Sequence, residues 1–393
     1  MEKVFSKYII LLPYILGFTQ LLQIRGINIG CTFLSFLNIV YIIHNWKIVC
    51  KDKIGILKLS ILYVLIILIY QVTTPPLSEI YNPYNPFFYH IFISTGITFW
   101  IIGYKGYNIL TKFNKNIIAI FIFTNLIYAM GVMYVYGGVA NLIPESEIYV
   151  YLYQIIPYLT LWITSALFIF KKPLQISIIL LFIILILYST KRGPLVSMGL
   201  GFLLIFLFQG KINIKHFFLL TIVLLIGYII INMYFESYLV EWSGRWTANE
   251  DDISNGREDI WELLINHYTN QDFLTIIFGN GYEATHKLTY KYLWSGIGAH
   301  NDFIEILYNM GIVGFTIFVL LIFSWIKITF YSIKRKEQYA PMLIYLLTCF
   351  ILGSVVSSNL TRFTTIYFSI YFYYFSGRLA KAQTITSNTK YSN

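Results

Sequence analysis

A polar segment between residues 236 and 301 contains the side chains best suited to chemistry in this otherwise strongly apolar chain. Arg245 and Arg257 lie within it, and His300 closes it directly before a new apolar run. A guanidinium can pair two N–H donors with phosphate oxygens. An imidazole, whose ordinary pKa is about 6.5, can serve as a general base near neutral pH. These residue types predict a reaction on a phosphate-bearing substrate.

A capping pattern predicts where the second arginine lies. Asn255, followed three residues later by Glu258 and then by an apolar face, predicts a helix that begins near Gly256. Arg257 then falls in the first turn, beside backbone N–H groups that have no partner within the helix. A helix start with an adjacent guanidinium is a suitable anion site.

A second cap predicts the position of the histidine. Asn301 is expected to cap the next apolar helix, which places His300 immediately outside the helix start. Asp302 and Glu305 then fall in the first turn and a half, where negative charge is favourable. A carboxylate such as Asp302 could orient the imidazole or raise its basicity. His300 is therefore expected at the membrane surface, ready to accept a proton.

Glycosyl transfer from a lipid-linked sugar diphosphate needs cations and a base, but neither a metal nor a nucleotide. Ordinary glycoside cleavage requires a carboxylic acid to protonate the leaving oxygen, whereas a diphosphate can leave if cations stabilise its charge. The sequence has no Walker A loop, no His-Glu-x-x-His motif and no Rossmann glycine pattern. Its cysteines, Cys31, Cys50 and Cys349, have no paired spacing. We therefore expect no metal site and no cofactor.

The composition indicates which elements position these residues. Apolar residues make up 58% of the chain and charged residues 12%, whereas soluble proteins have roughly 25% charged residues. We predict an all-α, polytopic integral membrane protein with about twelve spans, because apolar stretches of about 17–25 residues can cross a bilayer as helices. The predicted spans are 8–23, 28–44, 54–71, 87–103, 116–136, 149–170, 174–189, 194–209, 216–233, 302–326, 340–357 and 364–378.

Lysines and arginines set the predicted orientation. Basic connections, such as the one with Lys334 and Lys336, alternate with connections poor in these residues, so the basic set and both termini are placed in the cytoplasm. Residues 235–301, between the ninth and tenth spans, then form a large extracytoplasmic loop subdomain, and Arg192 and Arg362 also face outward. Cytoplasmic loops and anionic lipid account for the net charge of +10, so no nucleic-acid partner is expected.

Aromatic residues in the outer segment have two interpretations. Tyr282, Tyr290, Tyr292 and Trp294 could anchor the chain at the membrane interface, as tyrosine and tryptophan often do. They could also stack on sugar rings. Packing and interfacial anchoring is the favoured interpretation.

Four sequence blocks resemble the O-antigen ligase and polymerase superfamily of bacterial envelope proteins. The resemblance covers roughly residues 185–325, and the His-Asn-Asp block before a Gly-x-x-Gly span is its most specific part. The blocks are Lys191-Arg192-Gly193, Gly256-Arg257-x-x-x-Trp261, Phe278-Gly279-Asn280-Gly281-Tyr282, and Ala299 to Glu305 followed by Gly311-Ile312-Val313-Gly314.

This resemblance implies a GT-C-like membrane glycosyltransferase in the bacterial inner membrane, acting on undecaprenyl-diphosphate-linked oligosaccharides at its periplasmic or extracellular face. By motif position, it implies His300 as the catalytic base and Arg192 and Arg257 as the residues that hold the diphosphate. Its other implied partners are membrane lipids, a flippase and a chain-length regulator. The expected substrate-binding residues, the last two from topology alone, are Asn301, Asp302, Trp261, Arg245 and Arg362.

Three functions are compatible with these features. The leading interpretation is a polymerase that transfers a growing O-antigen or capsule glycan from undecaprenyl diphosphate to the next lipid-linked repeat unit. A ligase that transfers the finished glycan to lipid A core or another acceptor would use the same donor site. A lipid-linked oligosaccharide flippase or exporter would need ionisable groups near the span middles, but Lys58, His90 and Glu305 lie within a turn or two of a span end.

Overall fold

The computed structural model describes residues 27–52, 55–73, 86–107, 158, 161–162, 164, 179, 183, 192–209, 257–293, 296–357 and 365–390. Within these ranges every regular element is a helix. The helices are α1 (Ile27–His44), α2 (Trp46–Val49), α3 (Ile56–Thr73), α4 (Pro86–Lys105), α5 (Arg192–Gln209), α6 (Arg257–Thr269), α7 (Phe273–Phe278), α8 (Ala284–Leu293), α9 (Asp302–Lys334), α10 (Ala340–Val356) and α11 (Ile366–Lys390).

Seven predicted spans coincide with described helices, namely α1, α3, α4, α5, α9, α10 and α11. Among the described residues, α9 is the one helix that is long and apolar enough to cross a membrane by length and composition. The all-helical class is confirmed, and the number of spans and their orientation stay predictions. Outside the continuously described ranges lie Arg245, Arg362 and the predicted spans 8–23, 116–136, 149–170, 174–189 and 216–233.

Helices α4 and α11 pack closely because glycines line their contact. A Cβ atom on Gly103 would overlap the Tyr374 carbonyl, and one on Gly377 would overlap the Trp100 carbonyl. Small residues let helix backbones approach each other, which is a common basis of helix association in membranes. Because α4 also packs against α1 and α3, the early helices and the last helix form one bundle.

Aromatic side chains fill the centre of this bundle. Trp325 of α9 is buried, and its ring centroid lies 4.9 Å from the ring centroids of both Phe350 in α10 and Phe368 in α11. A hydrogen bond also joins two helices in the interior, where Asn38 Nδ2 of α1 donates to Thr95 Oγ1 of α4 over 2.9 Å. This bond joins polar side chains of two helices, a common kind of contact between helices in membranes.

Large apolar side chains cover outward faces of the bundle. Phe36, Val40 and Ile43 are exposed along one face of α1, and Phe323 and Phe330 are exposed on α9. Water solvates such contiguous apolar faces poorly, whereas lipid tails are as apolar as these side chains. The exposed faces agree with a helical membrane protein.

Helix α9 is interrupted at Gly311, where φ is 62° and ψ is −167°. The sequence predicted one continuous span here, so the break differs from the prediction. A break leaves the carbonyl oxygens of the preceding turn without partners in the helix. The backbone N–H groups of Asn280 and Gly281 replace those partners, donating to the Tyr308 and Asn309 carbonyls over 3.0 and 2.9 Å.

Two glycines allow this backbone contact. Gly279 has a φ of 83°, and a Cβ atom on it would overlap the backbone nitrogen of Gly311. A Cβ atom on Gly311 would in turn overlap the nitrogen of Gly279. Only glycine combines a left-handed φ with such a close approach at no steric cost. The contact fixes helices α6 to α8, hereafter the α6–α8 unit, against the first part of α9.

Candidate functional site

Helix α6 positions the predicted site residues through its buried stripe. Ile260, Leu264 and Tyr268 recur every four residues and are buried, which is the spacing of one helix face. This face packs against α8 and the first turns of α9. The stripe therefore fixes the rotation of α6 about its own axis, and with it the directions of the other side chains.

Arg257 is the first residue of α6, as the capping pattern predicted. Its Nη1 donates to the Val356 carbonyl over 2.7 Å, and Val356 is the last residue of α10. The C-terminal end of a helix carries partial negative charge, so a cation is favourable there. Arg257 is thus held at the end of α10 by both a hydrogen bond and the helix dipole.

The start of α5, at Arg192, lies beside the same end of α10. A Cβ atom on Gly193 would lie 3.6 Å from Val356 Cγ2 and 3.9 Å from the Tyr158 hydroxyl. That hydroxyl is 3.1 Å from Ser357 Oγ, immediately after α10. The structure describes the backbone of Arg192 and not its side chain. The starts of α5 and α6, each of which has an arginine as its first residue, therefore both lie at the C-terminal end of α10.

Trp261 links α6 to the histidine. It lies four residues after Arg257, which is about 6 Å along a helix, and its indole N–H donates to the Ala299 carbonyl over 2.7 Å. Ala299 is buried and immediately precedes His300. The Trp261 N–H thus holds the loop that contains His300, and the predicted contact of Trp261 with substrate stays a prediction.

Asn301 caps α9 as predicted. Its side-chain oxygen accepts hydrogen bonds from the backbone N–H groups of Phe303 and Ile304 over 2.9 and 3.2 Å. Asp302 follows in the first turn and is only 1% exposed. The cap sets the direction in which the chain enters α9, and His300 consequently lies just outside the helix start.

His300 has a left-handed backbone conformation, with a φ of 51°. Few residues other than glycine adopt this region, because the Cβ atom then crowds the backbone. Strain of this kind persists when the surroundings hold the residue in place, and it is concentrated at functional sites. The Trp261 hydrogen bond on one side and the Asn301 cap on the other supply that constraint.

Glu305 also holds the histidine loop, a role that the sequence did not predict. It is 2% exposed, and its Oε2 accepts from the Ala299 N–H over 3.1 Å. Its Oε1 accepts from Thr285 Oγ1 of α8 over 3.3 Å and lies 3.9 Å from His286 Nδ1. The only signal in the sequence was an acid shortly after a capping asparagine, which indicates a helix start and not a contact with α8.

Helix α7 is held in place by local hydrogen bonds. The Asp272 carboxylate accepts from the Thr275 hydroxyl over 2.6 Å and from the Leu274 and Thr275 backbone N–H groups. The hydroxyl bond, followed by the backbone bonds, lowers the pKa of Asp272. The Tyr268 hydroxyl donates to the Ile276 carbonyl over 2.6 Å, and burial raises its pKa. These bonds tie α6 to α7.

The contacts bring the predicted catalytic positions to one end of the bundle. Arg257 binds the end of α10, α5 begins beside it at Arg192, and Trp261 reaches from the same α6 helix to the residue before His300. Arg245 and Arg362 lie outside the described residues. The arrangement can bind an anion at helix starts and accept a proton at a neighbouring position.

Comparison with known proteins finds one matching family. Residues 177–319 match the model of a family described as O-antigen ligase, and a search of curated proteins finds no match. The match confirms the resemblance to the O-antigen ligase/polymerase superfamily that the motifs indicated. Proteins of the matched family are membrane proteins. It supports a ligase or polymerase type of function.

Proposed function

We propose that this member of the O-antigen ligase/polymerase superfamily is a polysaccharide polymerase. It transfers a growing O-antigen or capsule glycan from undecaprenyl diphosphate to a hydroxyl group of the next lipid-linked repeat unit. One observation carries the proposal: the α6 helix connects Arg257, at the end of α10, with the loop that holds His300. One helix then connects a cation for the leaving group with the loop that carries a base for the acceptor.

Arg257 holds the diphosphate. A guanidinium has five N–H donors in a planar fork, so it can bind phosphate oxygens while it keeps its bond to Val356. The starts of α5 and α6 add backbone N–H groups and positive dipole ends, and Arg192 stands at the first of these starts. Together they stabilise the charge that develops on the leaving diphosphate.

His300 removes the proton from the acceptor hydroxyl. As the O–H bond breaks, the hydroxyl oxygen bonds to the anomeric carbon of the donor sugar, and the proton moves to the imidazole. The bond between that carbon and the diphosphate oxygen breaks, and its electron pair leaves with undecaprenyl diphosphate. The activated donor supplies the driving force, and arginine side chains stabilise the leaving diphosphate in the place where other enzymes use a metal ion.

The reaction takes place at the outer face of the bacterial inner membrane. On the predicted orientation, the segment 235–301 forms an extracytoplasmic subdomain above about twelve spans. A lipid-linked donor reaches this face after a flippase has translocated it, and a chain-length regulator is a second expected partner. Arg245 and Arg362, both placed outside by the same orientation, are further candidates for binding the substrate.

A ligase is the second candidate, because the matched family is described as O-antigen ligase. A ligase would use the same diphosphate site and the same base. It would differ only in the acceptor, which would be lipid A core or another molecule and not a second repeat unit. An experiment must therefore identify the acceptor molecule.

The two functions separate in a reconstituted reaction. Purified protein in lipid vesicles receives undecaprenyl-diphosphate-linked repeat units, with or without lipid A core, and the products are run on a gel. A ladder of increasing lengths without core supports the polymerase. Transfer only when core is present supports the ligase, and unchanged substrate under both conditions rules out the enzymatic proposal.

Matched variants test the proposed residues in the same reaction. Arg257→Ala should lower kcat by about 10²- to 10³-fold, the usual cost of removing one donor to a developing anion, and Arg257→Lys should recover only part of it. Arg335→Ala is the control, because Arg335 is exposed and pairs with Glu337 and Tyr331 at the far end of α9. Equal activity of the Arg257 and Arg335 variants would contradict the assignment.

A further inference from the structure

Helix α7 has an exposed apolar face. Phe273, Leu274 and Phe278 are 74%, 64% and 52% exposed. Successive residues are about 100° apart on a helix, so these three and Ile277 lie within an arc of about 140°. On the other side of α7, Ile276 packs against the core of the α6–α8 unit. Large apolar side chains grouped on one helix face mark a surface that contacts something other than water.

The contact of α7 with α9 gives the position of this face along the membrane span. Residues 306–326 of α9 contain no charged residue. As a helix they extend about 30 Å, which is the thickness of the hydrocarbon core of a bilayer. Gly311 lies about 7 Å inside the end of this stretch that is nearer to His300. Its backbone meets that of Gly279, the residue immediately after α7, so α7 lies at the edge of the hydrocarbon core.

The apolar face of α7 adjoins exposed apolar residues of two longer helices. The Tyr70 hydroxyl of α3 donates to the Phe278 carbonyl, and the preceding residue, Ile69, is 60% exposed. Ile312 of α9 follows the glycine that contacts the end of α7, and it is 49% exposed. The face of α7 therefore continues the outward apolar faces of α3 and α9.

The hydrogen bonds at the end of α7 also suit a lipid environment. The last carbonyl groups of a helix have no partners within it, and lipid tails offer no hydrogen bonds in their place. In α7, the Thr275 carbonyl accepts from the Gly279 N–H over 2.6 Å. The Ile276 carbonyl accepts from the Tyr268 hydroxyl over 2.6 Å, and Phe278 accepts from Tyr70. Groups of the protein thus take the place of water at these three carbonyls.

We infer that α7 is an interfacial anchor, which inserts Phe273, Leu274 and Phe278 among the acyl chains of the leaflet nearer to His300. Interfacial helices bury their apolar faces about 5–10 Å into the boundary between headgroups and acyl chains, which matches the position of α7 along α9. The sequence predicted that the whole segment 235–301 lies outside the membrane, and the inference places α7 in the bilayer instead. It rests on the membrane setting of the matched family and not on the proposed reaction.

Photochemical cross-linking of the full chain in lipid nanodiscs tests the inference. Phe273, Leu274 and Phe278 are replaced, one at a time, by p-benzoyl-phenylalanine. On illumination, its ketone takes a hydrogen atom from a nearby C–H bond, and the two carbon radicals join, so that no atom is lost. The nanodiscs contain a single synthetic phosphatidylglycerol. Mass spectrometry of each illuminated variant should show protein that is heavier by the mass of one lipid molecule.

Two control positions calibrate the cross-linking. Phe323, exposed on the uncharged part of α9, should give the lipid adduct, and Glu262, exposed on α6, should not. The inference is overturned if the three α7 positions give no lipid adduct while Phe323 does, or if they cross-link to another segment or a second copy of this chain. A lipid adduct at Glu262 equal to those of α7 would also overturn it. Because transfer activity is not measured, failure of the proposed function would leave this result unchanged.

Discussion

Three substitutions at His300 separate the role of its imidazole from the role of its backbone. The residue has a φ of 51°, a conformation that costs an ordinary L-residue about 1–2 kcal/mol. Glycine avoids that cost, but its more flexible unfolded chain offsets the gain by about 0.4–1 kcal/mol. His300→Gly should therefore be about 0.5–1 kcal/mol more stable than His300→Ala. His300→Asn should lie between them, because asparagine tolerates this region better than alanine.

Activity should not follow this order of stability. If the imidazole is the general base, all three variants lose about 10²- to 10⁴-fold in kcat, which corresponds to about 2.7–5.4 kcal/mol of transition-state stabilisation. The assay is product formation from undecaprenyl-diphosphate-linked repeat units, and the thermal unfolding of the same purified samples gives the stability ranking. His44→Ala, at the end of α1, is the control and should match the wild type in both measurements.

Two results would refute this reasoning. If His300→Gly keeps activity within about tenfold of the wild type while His300→Ala does not, the residue acts through its backbone, because a true base contributes at least about 10²-fold. If His300→Ala is the more stable of the two, the left-handed conformation is wrong.

Three further predictions concern two residues that hold the His300 loop and one glycine that holds the α6–α8 unit. Trp261→Phe keeps an aromatic side chain but removes the donor to Ala299. The lost hydrogen bond should cost about 0.5–1.5 kcal/mol of stability, and kcat should fall. A normal kcat would exclude the positioning role. Glu305→Ala leaves the buried Ala299 N–H without its acceptor, so unfolding should become easier by about 1–3 kcal/mol, and unchanged stability would contradict the buried contact. Gly311→Ala should reduce the yield of folded protein, because its Cβ would overlap the Gly279 backbone. The control is Gly199→Ala, which should fold normally because a Cβ at Gly199 would meet open space. Equal yields of the two variants would contradict the α9 break.

Local sequence patterns predicted the helix starts at the site correctly. The α6 start at Arg257 agrees with the start near Gly256 that the Asn255 and Glu258 pattern predicted, and the Asn301 side chain caps α9 as predicted. The motif blocks also indicated the resemblance that the family match over residues 177–319 confirms. Features that depend on neighbouring residues could therefore be predicted from the sequence.

Contacts between segments that are distant in the sequence could not be predicted from local patterns. The break at Gly311 depends on N–H donors from residues 280 and 281, which lie about thirty positions earlier in the chain. An apolar run with one glycine looks like a continuous helix until those donors are known. Glu305 is similar, because its contact with Thr285 depends on how α8 packs against α9. Hydrophobic patterns indicate which faces are buried, but they do not indicate which backbone groups meet.

The most direct test of the account is a structure of the protein with undecaprenyl diphosphate bound, determined by electron cryomicroscopy in lipid nanodiscs. The proposed mechanism requires the diphosphate to lie within hydrogen-bond distance of the Arg257 guanidinium and the start of α5, with the His300 imidazole facing the same space. A diphosphate bound at the other end of the bundle, or one that contacts neither Arg257 nor the start of α5, would contradict it.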